Sequence, residues 1–291
     1  MHEKTIGIVG GSGLYELEGL TAVKEVELLT PYGKPSGTYL TGRLGDVSLV
    51  FLPRHGAGHF IAPHEINYRA NIYGFKKLGV QQLLSFSAVG SMKEEIKPGE
   101  VVVVDQFLDR TRTRPSSFFE NGCVAHVSFA DPVCPALRKV LVRSGKICGI
   151  KIHDGGTYVC IEGPQFSTRA ESLLYKSWNV DVIGMTNLPE ARLAREAELC
   201  YGTAALVTDF DCWRTHETSV DAAEVLTVMR QNINRAKDMI KEIVSQISSI
   251  QSCSCHSALQ YAVVTQRDVM PKEARERLGL FLNKHNGGEC V

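Results

Sequence analysis

No charge of either sign predominates in this sequence: 32 lysines and arginines stand against 32 aspartates and glutamates. Bulk charge therefore gives no basis for binding nucleic acid or an anionic membrane surface. No apolar run approaches the ~18 residues that a membrane span needs. The opening Met1-His2-Glu3-Lys4 leads into a short apolar stretch that stops at glycines, too short for a signal-peptide core. The expectation is a cytoplasmic protein. Internal repeats and low-complexity segments are missing as well. Nine cysteines are present but scattered, which in a cytosolic chain points to core packing rather than a disulfide framework. Cys253-Ser254-Cys255 is the exception. Such a pair suits redox chemistry or half of a metal site, but no second pair accompanies it, so inert packing is the preferred reading.

What is present is an ordinary globular composition, 44% hydrophobic and 22% charged over 291 residues. Unalternating runs rich in Val, Ile and Leu recur at Ile6–Val9, Val47–Leu52, Gln82–Phe86, Val101–Val104, Tyr158–Ile161, Val180–Met185 and Thr203–Val207. Runs of this kind suit strands buried on both faces. Helical patterns lie between several of them, at Glu65–Leu78, Ala136–Ser144, Thr168–Ser177 and Glu190–Leu199. The alternation predicts an α/β sheet covered by helices. A longer helix is expected over Asp221–Ile247, started by Ser219-Val220-Asp221, with one apolar stripe from Val225 to Ile247. Beyond it, Ala258–Val264 and Pro271–Leu282 carry weaker helical signals. The simplest division is a main domain over 1–250 and a helical C-terminal extension, 251–291, packed on the same domain.

Five segments bear the residue types of a binding site. Gly10-Gly11-Ser12-Gly13 follows the first strand, where open backbone amides suit an anion. It is not a P-loop, and Glu16 breaks the dinucleotide fingerprint at its third glycine. Arg54-His55-Gly56-Ala57-Gly58-His59 follows the second run. Arginine offers a planar fork for phosphate, and histidine can donate to it or move a proton. A zinc reading of His55 and His59 requires a helix, which the glycines and flanking prolines disfavour. Ser85–Ser91 runs from a strand into small and hydroxyl residues. Phe166-Ser167 precedes a helix, with Ser167 expected as its N-cap and Phe166 able to stack on a planar base. Asp209 and Asp211 alternate at the end of an apolar strand, where an unpaired carboxylate is costly.

In order along the chain, the segments GIVGGSGL, TPYGKPS, SAVGS, KPGEVVVVDQFLDRT, IEGPQFSTRAES and TDFDCW resemble the 5′-methylthioadenosine phosphorylases of the trimeric purine nucleoside phosphorylase family. The resemblance covers about Ile6 to Ser248. It implies a single α/β domain with a central mixed β-sheet, partly barrel-like, flanked by helices. It also implies phosphate held by Ser12, Arg54, His55, Ser87, the Ala88 amide and Thr186. Ribose would meet the backbone near Met185, adenine would lie by Phe166 and Ser167 and bond to Asp209 and Asp211, and the thiomethyl end would fill a pocket including His59 and Val225. His126 matches a residue reaching into a neighbouring subunit's site, and the resemblance to a mainly trimeric family implies a homotrimer or a dimer of trimers.

The chemistry so implied is phosphorolysis of an N-glycosidic bond, with Asp209 and Asp211 as the catalytic pair. Inorganic phosphate is a co-substrate, and no organic cofactor or metal is expected. A phosphorylase preferring 6-oxopurines is the nearest alternative, and its site would carry an amide near Asp209 rather than a carboxylate pair. A nicotinamide-dependent dehydrogenase and a non-catalytic nucleoside-binding module are the more distant ones.

Overall fold

The computed structural model describes residues 4–214, 222–247, 250 and 253–283, with side chains at all of these except 12 and 222–226. The helix-start signal at Ser219-Val220-Asp221 lies outside the described residues, as do the side chains of Ser12 and Val225.

Each of the seven expected apolar runs forms a strand. In chain order the strands are β1 (Thr5–Gly10), β2 (Thr21–Val26), β3 (Tyr39–Leu44), β4 (Val47–Pro53), β5 (Gln82–Ser91), β6 (Val101–Val103), β7 (Gln106–Arg110), β8 (Ile152–Asp154), β9 (Thr157–Ile161), β10 (Val182–Gly184) and β11 (Cys200–Phe210). Strands β2, β3, β7 and β8 were not expected from the sequence. They lack a continuous apolar run: β2 is exposed along most of its length, β7 alternates exposed and half-buried residues, and β3 and β8 are mostly half-buried.

All eleven strands belong to one mixed sheet, ordered β2-β3-β4-β1-β5-β10-β9-β7, with β11 against β5 and β6, and β8 against β6. Strands β4, β1, β5 and β11 run parallel to one another, so their carboxyl ends emerge on one side. Strand β10 is antiparallel to β5.

Alternate residues of the central strands feed two cores. Leu49 and Phe51 of β4 join Leu137 and Leu141 of α2 (Pro135–Ile147) and Met239 and Ile243 of α5 (Ala222–Gln246). Val50 and Leu52 join Ile72 and Phe75 of α1 (Tyr68–Lys77) and Leu193 of α4 (Asn187–Glu196). The period of two along the strands assigns each side chain to a face. Helix α3 (Arg169–Ser177) packs Tyr175 into a smaller cluster with Met92, Ile183 and Trp213.

After α5 the chain makes a 3-10 turn at Ser254–Ser257, and the last helix among the described residues is α6 (Lys272–Leu282). The expected helix over Ala258–Val264 is instead a run of turns closing on the bridge Ala125↔Val263. Its backbone is spent on the neighbouring connection, with His126 N–H donating to Ala262 O at 2.8 Å and Val264 N–H to Val124 O at 3.0 Å. Leu278 and Phe281 of α6 enter the same core as α1 and α4.

Candidate active site

The candidate site forms where β5 changes partners. Strand β1 pairs with β5 through Ser85, and β10 takes over at Gly90 on the same edge. Between them, Phe86–Val89 carries no strand on that edge among the described residues. Ala88 is the exposed position in this otherwise buried strand. An edge left open in this way leaves backbone groups without a ladder partner, as at the switch points of open sheets. Strand β10 runs antiparallel into the gap, so its carboxyl end brings Met185 and Thr186 towards Ser87 and Ala88.

Beneath the gap lies a buried polar network. Arg54, 2% exposed, donates from Nε to Glu190 Oε2 at 2.7 Å and from Nη2 to Glu190 Oε1 at 3.1 Å and Ser85 Oγ at 2.7 Å. Its Nη1 donates to Phe86 O at 3.0 Å. Four of the five guanidinium hydrogens are thus engaged within the protein, leaving one on Nη1 for a ligand. Glu190 keeps Arg54 charged despite its burial, and its Oε1 also accepts from Tyr201 Oη at 2.9 Å. Asn187 links the rest: it donates to Tyr201 Oη at 2.9 Å and Thr203 Oγ1 at 2.7 Å and accepts from Ser87 Oγ at 2.9 Å. Such networks fix the side chains that face a site.

The segment after β4 is a succession of turns, with Gly56 at φ 74°, Gly58 at φ 88° and His59 at φ 59°. Only glycine takes the first two without strain, and at Gly56 an added Cβ would stand 2.4 Å from the Phe60 ring. His55 and His59 therefore do not share a helix face; their rings stack, with centroids 4.2 Å apart. His55 Nδ1 donates to Ile61 O at 2.9 Å, leaving Nε2 for a ligand. Burial, opposed only in part by that bond, lowers its pKa to about 4, so the ring is neutral near pH 7 and Nε2 is an acceptor.

Asp209 and Asp211 flank Gly90, where an added Cβ would lie 3.4 Å from Asp209 Oδ2 and 3.4 Å from Asp211 Cβ. A bulge between Val207 and Asp209 re-aims the strand end. Burial raises both carboxyls above the usual range. The two are not equivalent. Ser172 Oγ donates to Asp211 Oδ2, and the Cys212 backbone also favours its ionised form. Asp209 has only the adjacent Thr208 hydroxyl, at 2.6 Å, and feels the Asp211 charge, which favours its protonated form.

Thr168, not Ser167, caps α3, in a capping box with Glu171. Ser167 is thereby released from the helix end. Its Oγ, like Thr186 Oγ1, is buried without a hydrogen-bond partner among the described residues. Buried orphan hydroxyls at expected ligand positions mark groups with capacity for a ligand. Phe166 is 80% exposed.

Arg114 carries no signal in the local pattern, yet it lies buried against the backbone of Met185. It donates to Met185 O at 2.7 Å, Leu188 O at 2.7 Å and Ile161 O at 3.3 Å, fastening the ends of β9 and β10 together. Glu190, Asn187 and Ser172 were equally unmarked. Of the expected site residues, Arg54, His55 and His59 stand at or after the end of β4, Ser87 and Ala88 in β5, Ser167 after β9, Met185 and Thr186 after β10, and Asp209 and Asp211 at the end of β11. His126 is not brought to them: it sits on the β7–α2 connection with an exposed ring.

A mixed α/β sheet with an arginine, hydroxyls and a protonatable carboxylate around a partner-switching strand is the frame of a phosphorylase. The chain belongs to the phosphorylase superfamily, whose family model matches residues 5–245. It is 53% identical to the S-methyl-5′-thioadenosine phosphorylase of Geobacter sulfurreducens over 97% of this chain and 99% of that one. The corresponding protein of Thermosynechococcus vestitus is 52% identical over 96% and 98%. Among solved structures, a methylthioadenosine phosphorylase from an antarctic soil metagenomic library superposes with a TM-score of 0.92 at 47% identity, covering 97% of this chain and 100% of that one. The methylthioadenosine phosphorylase of Schistosoma mansoni in complex with adenine gives 0.79 at 38% identity, over 85% and 92%. Within the superfamily, the chain is a member of the S-methyl-5′-thioadenosine phosphorylase family.

Proposed function

We propose that this protein cleaves 5′-methylthioadenosine with inorganic phosphate, releasing adenine and 5-methylthioribose 1-phosphate. The observation that carries the reading is the exposed Ala88 where β5 has one edge open between β1 and β10, set between the Arg54 anchor and the Asp209–Asp211 pair. Phosphate fits against the Ala88 amide, the remaining Arg54 Nη1–H, Ser87 and Thr186, with Ser12 from the first turn. Neutral His55 accepts the phosphate hydroxyl at Nε2. Ribose meets the backbone at Met185, and Ser167 and Phe166 lie by the purine. His59 and Val225 border the methylthio group.

As the bond from C1′ to N9 breaks, its electron pair moves into the purine and positive charge grows on the ribose. Bound phosphate stabilises that charge and forms the new bond to C1′. Asp209, whose carboxyl is shifted towards its protonated form by burial and by the Asp211 charge, gives its proton to N7. Asp211, whose ionised form the Ser172 hydroxyl and the Cys212 backbone favour against burial, sets the orientation of the pair. This chemistry calls for no organic cofactor and for no metal at the site. We assign the protein to the cytoplasm, as a homotrimer or a dimer of trimers. The chain reads as one phosphorylase domain over residues 1–250 with the extension 251–291 packed on it.

The test is phosphate-dependent release of free base from a panel of nucleosides. A carboxylate accepts from a 6-amino group but meets only lone pairs on a 6-oxo group, and an unpaired buried partner discriminates by roughly 10⁴–10⁵. Methylthioadenosine, and less well adenosine, should be cleaved, with inosine and guanosine poor. Asp209→Asn should lower kcat on 6-amino substrates and narrow that preference. Equal wild-type efficiency on inosine and methylthioadenosine would sink the assignment in favour of a general purine nucleoside phosphorylase.

A further inference from the structure

Cys134, Cys200, Cys253 and Cys255 come from three separate parts of the chain: the N-cap of α2, the first residue of β11 and the segment after α5. The four Sγ atoms all lie within 4.8 Å of one another, and three of the four side chains are buried. Among the described residues, this is the one gathering of three or more His, Cys, Asp or Glu side chains close enough to hold a metal ion. The pair that the C-x-C motif lacked in the sequence is therefore supplied in space by Cys134 and Cys200.

Cys134 Sγ and Cys253 Sγ stand 3.5 Å apart. That is far beyond the roughly 2.05 Å of a disulfide. A tetrahedral zinc with Zn–S bonds of about 2.3 Å has S···S edges of about 3.8 Å. The observed spacing brackets that edge, so modest side-chain rotation closes the four sulfurs on one ion.

We propose that these four cysteines form a structural zinc site. Binding exchanges four S–H protons, released to solvent, for one Zn²⁺, with no change of oxidation state and no oxidant. The centre carries a net charge of about −2 from four thiolates and one divalent ion. Two features face that charge. Leu137 N–H donates to Cys134 Sγ at 3.5 Å at the amino end of α2, where the helix dipole favours an anion. His256 Nε2 lies 3.5 Å from Cys200 Sγ, with its Nδ1 donating to Glu198 O at 3.2 Å. Four protein sulfurs leave no open position, which makes the site structural rather than catalytic. It lies apart from the phosphate and nucleoside residues. Its effect is to tie the end of α5 and the following turn to α2 and β11, upstream of the segment that pairs with Val124 and His126.

The experiment is metal analysis of the full-length protein, expressed with zinc available and purified under reducing conditions without chelator. The expectation is about one zinc per chain, released only as thiols are blocked by an organomercurial. Cys253→Ser/Cys255→Ser should lose that zinc entirely. Should this variant not fold, cobalt substitution of the wild type decides. A CoS₄ centre gives thiolate-to-metal charge transfer and tetrahedral ligand-field bands. The proposal is overturned by reduced protein that stays zinc-free after reconstitution, by two disulfides in the mass of the non-reduced chain, or by zinc retained in the folded double variant.

Discussion

Arg54 has two tasks, and they can be separated. The side chain is almost wholly committed to Glu190, Ser85 and Phe86, and a single hydrogen remains for phosphate. Arg54→Ala should therefore lose stability as well as phosphate, since breaking a buried ion pair from one side costs about 3–5 kcal/mol. In Arg54→Met/Glu190→Gln the uncompensated charge is gone and the amide oxygen still accepts from Tyr201. Much of the stability should return, while KM for phosphate stays roughly ten- to a hundredfold above wild type, the loss of one charge-assisted hydrogen bond. Urea denaturation and phosphate saturation curves read the two effects apart. A double variant with wild-type phosphate KM would remove Arg54 from the ligand. The arginine, the histidines and the aspartates were legible in the sequence because each follows an apolar run at a strand end. Glu190, Asn187 and Arg114 were not, since their partners lie far away in the chain, Arg54 and Glu190 being 136 residues apart.

At the scale of elements, α4 is a helix whose two ends perform different work. Its amino end, kinked at Leu188, supplies Asn187 and Glu190 to the site. Its last turn holds Glu196, buried, accepting from Ser117 Oγ at 2.8 Å and Phe118 N–H at 2.7 Å. Burial outweighs those bonds and lifts the Glu196 carboxyl well above the ordinary glutamate range, to about 7. The folded protein thus retains a proton that the unfolded chain has already lost. The contribution is present in full below about pH 4.5 and falls away as pH rises towards 7. Glu196→Gln keeps both contacts, its oxygen taking Phe118 N–H and its amide donating to a reversed Ser117 hydroxyl. The variant should gain stability relative to wild type as pH rises through that window, by up to about 3 kcal/mol. Melting temperatures of the two proteins between pH 5 and 8 check it, and parallel curves would show that Glu196 titrates normally. The sequence marked α4 as a helix through its apolar spacing but not this burial, which depends on the 117–119 segment folding over its end.

For the whole molecule, the open question is assembly. His126 is exposed, on a connection whose backbone is paired to the C-terminal segment, and far along the chain from the residues that gather at β5. If it completes a neighbouring subunit's site, His126→Ala and Asp209→Asn should each be weak alone and should complement one another. In hybrid trimers refolded from an equal mixture, roughly a quarter of the sites receive both intact residues. Activity near that fraction of wild type is expected, and none above the two parents would place His126 outside the site.

The sequence by itself determined the buried strands, the long helices and the glycine turns, because side-chain periodicity and backbone freedom act over a few residues. It also determined the chemistry available at the strand ends, and hence the family. Only the tertiary structure decided the solvated strands β2 and β7, whose pairing is set by neighbours rather than by their own hydrophobicity. It alone opened β5 at Ala88, since a gap between β1 and β10 is a property of three strands at once. And it brought Cys134 and Cys200 to Cys253 and Cys255, turning half a motif into four converging sulfurs. Chain spacing carries no record of such meetings; they follow from how the sheet and its covering helices bury their apolar faces together.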